Sequence, residues 1–226
     1  RMFHQPLTDK AIREKLQKTT ATILLEHELI DIEDETTHVN FSIRDLKNKL
    51  DLQFTSRYLI GSDGGSSSVR KLLEISQEDL NYNRDWVVVD IELKGENRLD
   101  DKALQICDPK RLCTYIPSHL PYRRWEFIIN EGEDKKEFLK DKKIKLLISR
   151  WLNPDEYKII RKAVYQFHSV IAEKFSKGNC VLIGDAAHQN PPFMGEGMMS
   201  GYRDSMNISW KIALIIKNNF NDKLLT

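Results

Sequence analysis

The stretch Asn179–Asp204, NCVLIGDAAHQNPPFMGEGMMSGYRD, decides the fold. It opens on Cys180–Ile183, an apolar run short and β-branched enough to predict a buried strand. The run stops at Gly184-Asp185. A loop holding Pro191, Pro192, Gly195 and Gly197 follows, and a helix is predicted to begin near Gly197–Met199. An acidic side chain at the carboxyl end of a buried strand, facing a helix N-terminus across a stiff loop, is how open α/β sheets bind ligands. Asp185 can accept hydrogen bonds from a ligand's hydroxyls. The helix start offers free N–H groups and the positive end of its dipole, and Gly195 and Gly197 let that backbone come close. An ordinary strand–turn–helix connection, with Asp185 as a turn residue, satisfies the same spacing.

Upstream the layout recurs. Tyr58-Leu59-Ile60 runs into Gly61-Ser62-Asp63-Gly64-Gly65-Ser66-Ser67-Ser68-Val69-Arg70, and a helix is predicted over Val69–Ile75. Two strand-end aspartates, Asp63 and Asp185, read as two walls of one crevice. The serine-glycine turn could cradle a phosphate, with Arg70 supplying charge, or be only a turn. Gly195–Gly201 reads GxGxxxG, one residue too long for a dinucleotide fingerprint and eleven residues past the strand's Gly184. No GxGxxG occurs in the chain, so it has no phosphate loop of that kind. His188 has no second ligand at metal spacing and is expected to pack or hydrogen-bond within the loop. Met199, Tyr202, Met206, Trp210 and Ala213 fall at helical spacing and are expected to face a core.

The remainder reads as a helix from an N-cap at Thr8, then strands over 21–30, 39–44 and 50–55 in a small antiparallel meander, each with one buried face. Strands are predicted at 86–93, 112–116, 125–129 and 164–171, and a helix over 136–151. The fold class is therefore mixed α/β. The expected organisation is a partial Rossmann-like domain from 1–77 and 173–226, with a mostly antiparallel sheet domain inserted at 78–172.

Charge is balanced, 35 basic against 34 acidic residues, so no general affinity for nucleic acid or a membrane surface is indicated. Three cysteines without CxxC spacing predict free thiols in a reducing compartment. No apolar run approaches the ~20 residues needed to span a bilayer, and residues 1–10 lack a signal-peptide core. A cytoplasmic protein is the expectation.

Together these residues resemble the single-component (class A) FAD-dependent aromatic hydroxylases. Gly184-Asp185-Ala186-Ala187-His188, Pro191-Pro192 and Gly195-x-Gly197 are similar to the family's GD motif and flavin-contacting loop, and Asp63-Gly64-x-x-Ser67-x-Val69-Arg70 to its DG motif. Ser200-Gly201-x-Arg203-Asp204, Asn207 and Trp210-Lys211 continue the match. Phe3-x-Gln5-Pro6 and Asp85–Asp90 resemble the branch acting on 3-(3-hydroxyphenyl)propionate.

The resemblance implies that NAD(P)H reduces FAD, that O2 adds at flavin C4a, and that the hydroperoxide hydroxylates a phenolic ring. The protein's part is positioning and electrostatics. By position, Gly184 and Asp185 would serve the ribityl chain. The Gly197, Met198 and Met199 amides, reached over Gly195, would face the flavin N1–C2=O edge. Pro192 would line the substrate side, Gln5 would reach the ribityl or phosphate region, and Asp63 and Arg70 would hold the pyrophosphate region and serve NAD(P)H use. The sheet at 78–172 would roof the aromatic substrate; a homodimer is compatible with this reading. Met199 stands where the family usually has Asn. The family's GxGxxG unit lies upstream of the Gln5 region, so this chain is expected to be a fragment or truncated product that binds FAD weakly and does not turn over. A non-catalytic remnant domain, and a flavin epoxidase or reductase on a larger apolar substrate, are the alternatives.

Overall fold

The computed structural model describes residues 5–218 and 220–225; Phe3 lies outside them. Along the chain, α1 (Gln5–Leu16) precedes β1 (His27–Asp34), β2 (Val39–Asp45), β3 (Leu50–Ser56) and β4 (Leu59–Gly61). Then come α2 (Ser68–Leu72), β5 (Gln77–Leu93), β6 (Leu104–Asp108), β7 (Arg111–Ile116) and β8 (Tyr122–Ile128). The last part holds α3 (Asp141–Ile148), β9 (Tyr157–Ala172), β10 (Ser176–Lys177), β11 (Cys180–Leu182), β12 (His188–Gln189) and α4 (Glu196–Asn218). The fold is mixed α/β. The chain divides into two units, one of residues 1–22, 83–167 and 192–194, the other of 23–82, 168–191 and 195–226. Among the described residues no helix is long and apolar enough to cross a membrane.

In the second unit β1, β2 and β3 pair antiparallel in order, the expected meander. Its first strand runs 27–34, later than the predicted 21–30, because Glu33 and Asp34 still pair with Asn40 and Val39. Contrary to expectation β3 has no buried face: Leu50, Leu52 and Phe54 are exposed. It is paired on one side only, and its apolar residues meet their cross-strand neighbours, with Phe54 stacked on Phe41 at 5.7 Å. Asp34 Oδ1 accepts from Asn179 N and Nδ2, both at 3.1 Å, tying the meander to the start of β11. The apolar cluster here holds Val39, Val69, Leu73, Cys180 and Leu182.

The first unit is built on a sheet ordered β9-β5-β8-β7-β6. One face carries Val87, Val89, Ile91, Cys113, Tyr115, Trp125 and Phe127, clustered with Ile144 and Ile148 of α3. Trp125 and Phe127 are almost wholly buried, each worth about 2–3 kcal/mol of transfer free energy. The helix predicted over 136–151 is split into a 3-10 turn, Glu137–Leu139, and α3, because Lys140 is extended at ψ 134. Trp151 lies past the helix end yet still packs on Trp125 at 5.7 Å. Helix α1 begins at Gln5 rather than at an N-cap Thr8; Pro6, with no N–H to lose, suits its first turn.

Candidate functional site

Strands β4 and β11 are parallel neighbours in register, Cys180 against Leu59 and Leu182 against Gly61. Their carboxyl ends therefore emerge side by side, and Ile183 N donates to Gly61 O at 2.9 Å. The turns carrying Asp63 and Asp185 leave from those two ends. Gly61 admits no side chain: a Cβ there would lie 2.8 Å from Val69 Cγ1 and 2.9 Å from Leu182 Cδ2. That absence lets α2 lie down on β4.

The two aspartates are used differently. Asp63 turns inward. Its oxygens accept from Ser67 Oγ at 2.5 Å, Ser68 N at 2.7 Å and Val69 N at 3.1 Å, fixing the first turn of α2. Burial alone would raise its carboxyl. The hydrogen bonds from Ser67, Val69 and Ser68 outweigh that and hold it below the usual carboxylate range. Asp185 is exposed and makes no hydrogen bond or ion pair among the described residues, leaving its carboxylate open to a ligand.

Arg70, by contrast, is buried. It is 6% exposed, and its guanidinium donates to Ala186 O at 2.8 Å and Gly65 O at 2.9 Å. Burial lowers its pKa, with Asp63 opposing. One planar fork thus ties the Asp63 turn to the Asp185 turn.

Helix α4 is docked by the other end of the same turn. Gly184 takes φ +58, a conformation glycine adopts without strain, and a Cβ on Gly201 would sit 3.6 Å from its Cα. Asp204 Oδ2 accepts from Gly184 N at 2.9 Å and bonds His188 Nε2 at 2.7 Å, while Phe175 stacks on the imidazole at 5.8 Å. His188 is thus a packing and hydrogen-bonding residue of the loop. Because helix and turn meet through Gly201 and Asp204, the buried stripe runs on through Ile208 and Ile215. This overturns the expected core face: Met199, Met206 and Trp210 are 39%, 75% and 49% exposed.

An open pocket of about 310 Å3 lies here, lined by Ser62, Gly64, Ile183, Gly184, Asp185, Gly197, Met198, Gly201, Tyr202 and Ser205. Of the residues singled out in the sequence, Gly184, Asp185, Gly197 and Met198 share it. Asp63 and Arg70 hold its walls from behind, and Gly195 (φ +67) and Met199 are exposed at the start of α4 outside its lining. Gln5, exposed at the head of α1, and Pro192, buried, belong to the first unit. Sequence reading did not assign Ser62, Tyr202 or Ser205 to the site, and placed Tyr202 in a core-facing stripe. Tyr202 and Ser205 follow Gly201 and Met198 on α4 at helical spacing, which is the signal that finds them. A free carboxylate, at Asp185, and the first turn of α4, at Gly197 and Met198, line the same pocket, chemistry suited to hydroxyls and to an electron-rich edge. A Cβ at Gly197 would meet nothing within 4 Å, so the helix start is open to close approach. Among the described residues no group of His, Cys, Asp and Glu could hold a metal ion.

Known proteins match this chain in sequence and in fold. The family model described as FAD binding domain matches residues 1–226. A 3-(3-hydroxy-phenyl)propionate/3-hydroxycinnamic acid hydroxylase of Burkholderia cenocepacia (strain HI2424) is 31% identical over 230 residues, covering 100% of this chain and 41% of its own length. The chain thus spans about two fifths of that curated relative. The p-nitrophenol 4-monooxygenase PnpA from Pseudomonas putida DLL-E4 superimposes with a TM-score of 0.86 at 20% identity, over 99% of this chain and 57% of that one. Aklavinone-11 hydroxylase, in its ternary complex with FAD and aklavinone, gives 0.80 at 20% identity, over 95% and 42%. At such identities the structural likeness speaks for the fold. By the match along its whole length, the chain belongs to the FAD binding domain family, to which its resemblance to the FAD-dependent aromatic hydroxylases pointed.

Proposed function

We propose that this chain is the flavin-facing part of an FAD- and NAD(P)H-dependent monooxygenase that hydroxylates a phenolic compound similar to 3-(3-hydroxyphenyl)propionate. The observation that carries the reading is the pairing of an unengaged Asp185 carboxylate with the open start of α4, at Gly197 and Met198, around one pocket. In this reading Asp185 accepts hydrogen bonds from the ribityl hydroxyls, with Gly184 allowing the turn. The backbone amides at Gly197, Met198 and Met199 stabilise negative charge at the N1–C2=O edge of the ring, and Gly195 leaves their approach clear. Asp63 and Arg70 act by holding the walls. Bound FAD would supply oxygen activation and transfer of one oxygen atom to the aromatic ring. The residues here bind, orient and stabilise charge. The named substrate of the Burkholderia relative supports the phenolic class.

The test is titration of isotopically labelled protein with FAD, followed by amide resonances. Shifts concentrated at Ser62, Asp185, Gly197 and Met198, and weakened in Asp185→Asn, are expected. Shifts absent from these four amides at millimolar FAD would sink the assignment.

A further inference from the structure

A second pocket, of about 550 Å3, lies within the second unit between β10, β11 and the middle of α4. It meets α4 at Asp204, Asn207, Ile208 and Lys211, whereas the pocket at Asp185 meets that helix at Gly197, Met198, Gly201, Tyr202 and Ser205. The two linings share only Ile183. The apolar part of the larger pocket is aliphatic. Val181, Leu182 and Ile208, all buried, line it together with Ile183 and Leu225. Phe175 also lines it, but the face of its ring is stacked on His188 at 5.8 Å.

The polar part is uncommitted. Lys174, Ser176, Asn207 and Lys211 make no side-chain hydrogen bond or ion pair among the described residues. Lys177, three residues after Lys174, does: its ammonium donates to Leu73 O at 2.7 Å. The acid in the lining, Asp204, is engaged by Gly184 N and His188 and pairs with neither lysine. Lys174 is exposed and Lys211 half-buried, so both ammonium groups stay hydrated at the edge of an apolar floor.

The backbone narrows the choice of anion. Leu182 N donates to Phe175 O at 2.8 Å and Ile183 N to Gly61 O at 2.9 Å, so the amides of this floor are already used. A phosphate is held by free amides at a glycine turn or helix start, or by a guanidinium fork, and this lining offers neither. Lysine is a compact point charge, sufficient for a carboxylate. An aliphatic floor with charge at its edge fits a ligand apolar along its body and anionic at one end.

We propose that this pocket binds an aliphatic monocarboxylate of the fatty-acid type. The chain lies on Val181, Leu182, Ile183, Ile208 and Leu225, and the carboxylate sits between Lys174 and Lys211, with Ser176 and Asn207 as further donors. A fully buried methylene raises affinity about fourfold, so chain length dominates. Each partly solvated lysine adds about two- to fivefold and fixes which end faces out.

The experiment is titration of the isotopically labelled chain, without FAD, by octanoate, hexanoate and 1-hexanol, followed by amide resonances. Octanoate is expected to shift Phe175, Ser176, Val181, Ile208 and Lys211 saturably at millimolar concentration. Hexanoate, two methylenes shorter, should bind at least about fourfold more weakly than octanoate. 1-Hexanol, which keeps that chain and loses the charge, should bind about tenfold more weakly than hexanoate. The double variant Lys174→Gln/Lys211→Gln removes no internal bond. It should keep the wild-type Tm, weaken octanoate about tenfold and leave 1-hexanol unchanged. Salt gives a second reading on the wild type: raising ionic strength should weaken octanoate and spare 1-hexanol. The proposal is overturned by the absence of saturable shifts at ten millimolar octanoate, or by shifts confined to Asp185, Gly197 and Met198. It is overturned equally if 1-hexanol binds as tightly as hexanoate, if hexanoate matches octanoate, or if the charge-removed variant or high salt leaves octanoate affinity unchanged.

Discussion

Replacing Arg70 by Ala should destabilise the second unit before any ligand is considered. Arg70 is 6% exposed and donates to Ala186 O at 2.8 Å and Gly65 O at 2.9 Å. A hydrogen bond from a charged donor contributes roughly 1.5–3 kcal/mol net, and its removal strands any acceptor that water cannot reach. Ala186 is fully buried, whereas Gly65 is part-exposed and can be rehydrated, so the two bonds together are worth about 3–4 kcal/mol. For a chain of this size that corresponds to a fall in Tm of roughly 6–16 °C. Arg70→Lys keeps the charge but cannot fork to two carbonyls, and should recover about half of the loss. The assay is thermal melting followed by circular dichroism, without flavin. If Arg70→Ala melted within about 2 °C of wild type while FAD-induced amide shifts vanished, the guanidinium would serve a ligand and the loop-tying argument would be wrong.

Four further outcomes follow from the same geometry. Asp185→Asn should leave Tm unchanged, because its side chain makes no internal bond, and should weaken FAD-induced shifts about tenfold, the loss of one charge-assisted hydrogen bond. Glu126 should make stability pH-dependent. Its carboxyl sits near 7 when folded against 4.5, so the folded state binds the proton more tightly, and stability is lost as pH rises from 4.5 to 7, by about 3 kcal/mol. Denaturant midpoints at pH 5 and 8 measure this, and Glu126→Leu should flatten the difference. Gly61→Ala should cost about 1–3 kcal/mol in chemical denaturation, since its methyl would sit 2.8 Å from Val69 Cγ1. Asp204→Ala should lose about 1–2 kcal/mol with the bonds to Gly184 N and His188, and Asp204→Asn, which keeps an acceptor, less; hydrogen exchange at Gly184 reads the difference directly.

The sequence by itself determined the strands that end at the two glycine-acid turns, the meander, and the grouping of Gly184, Asp185, Gly197 and Met198. Each is a local pattern: an apolar run, a breaker, a polar tip, with a register that follows from period-two alternation. Tertiary structure decided how the conspicuous residues are used. Asp63 and Asp185 look alike in sequence, yet one spends its oxygens on Ser67, Ser68 and Val69 and the other keeps them free. That choice depends on which amides α2 brings within reach once Val69 packs on Gly61. Arg70 reads as a phosphate ligand, but the parallel pairing of β4 with β11 places the buried Ala186 carbonyl beside its guanidinium. The face of α4 was misread for the same reason. Hydrophobic spacing selects Met199, Met206 and Trp210, whereas the docked face is set by a glycine–glycine approach and an Asp204 hydrogen bond, which carry no hydrophobic signal. Glu126, finally, is one polar residue in an alternating strand; only the sheet around it makes it a buried one.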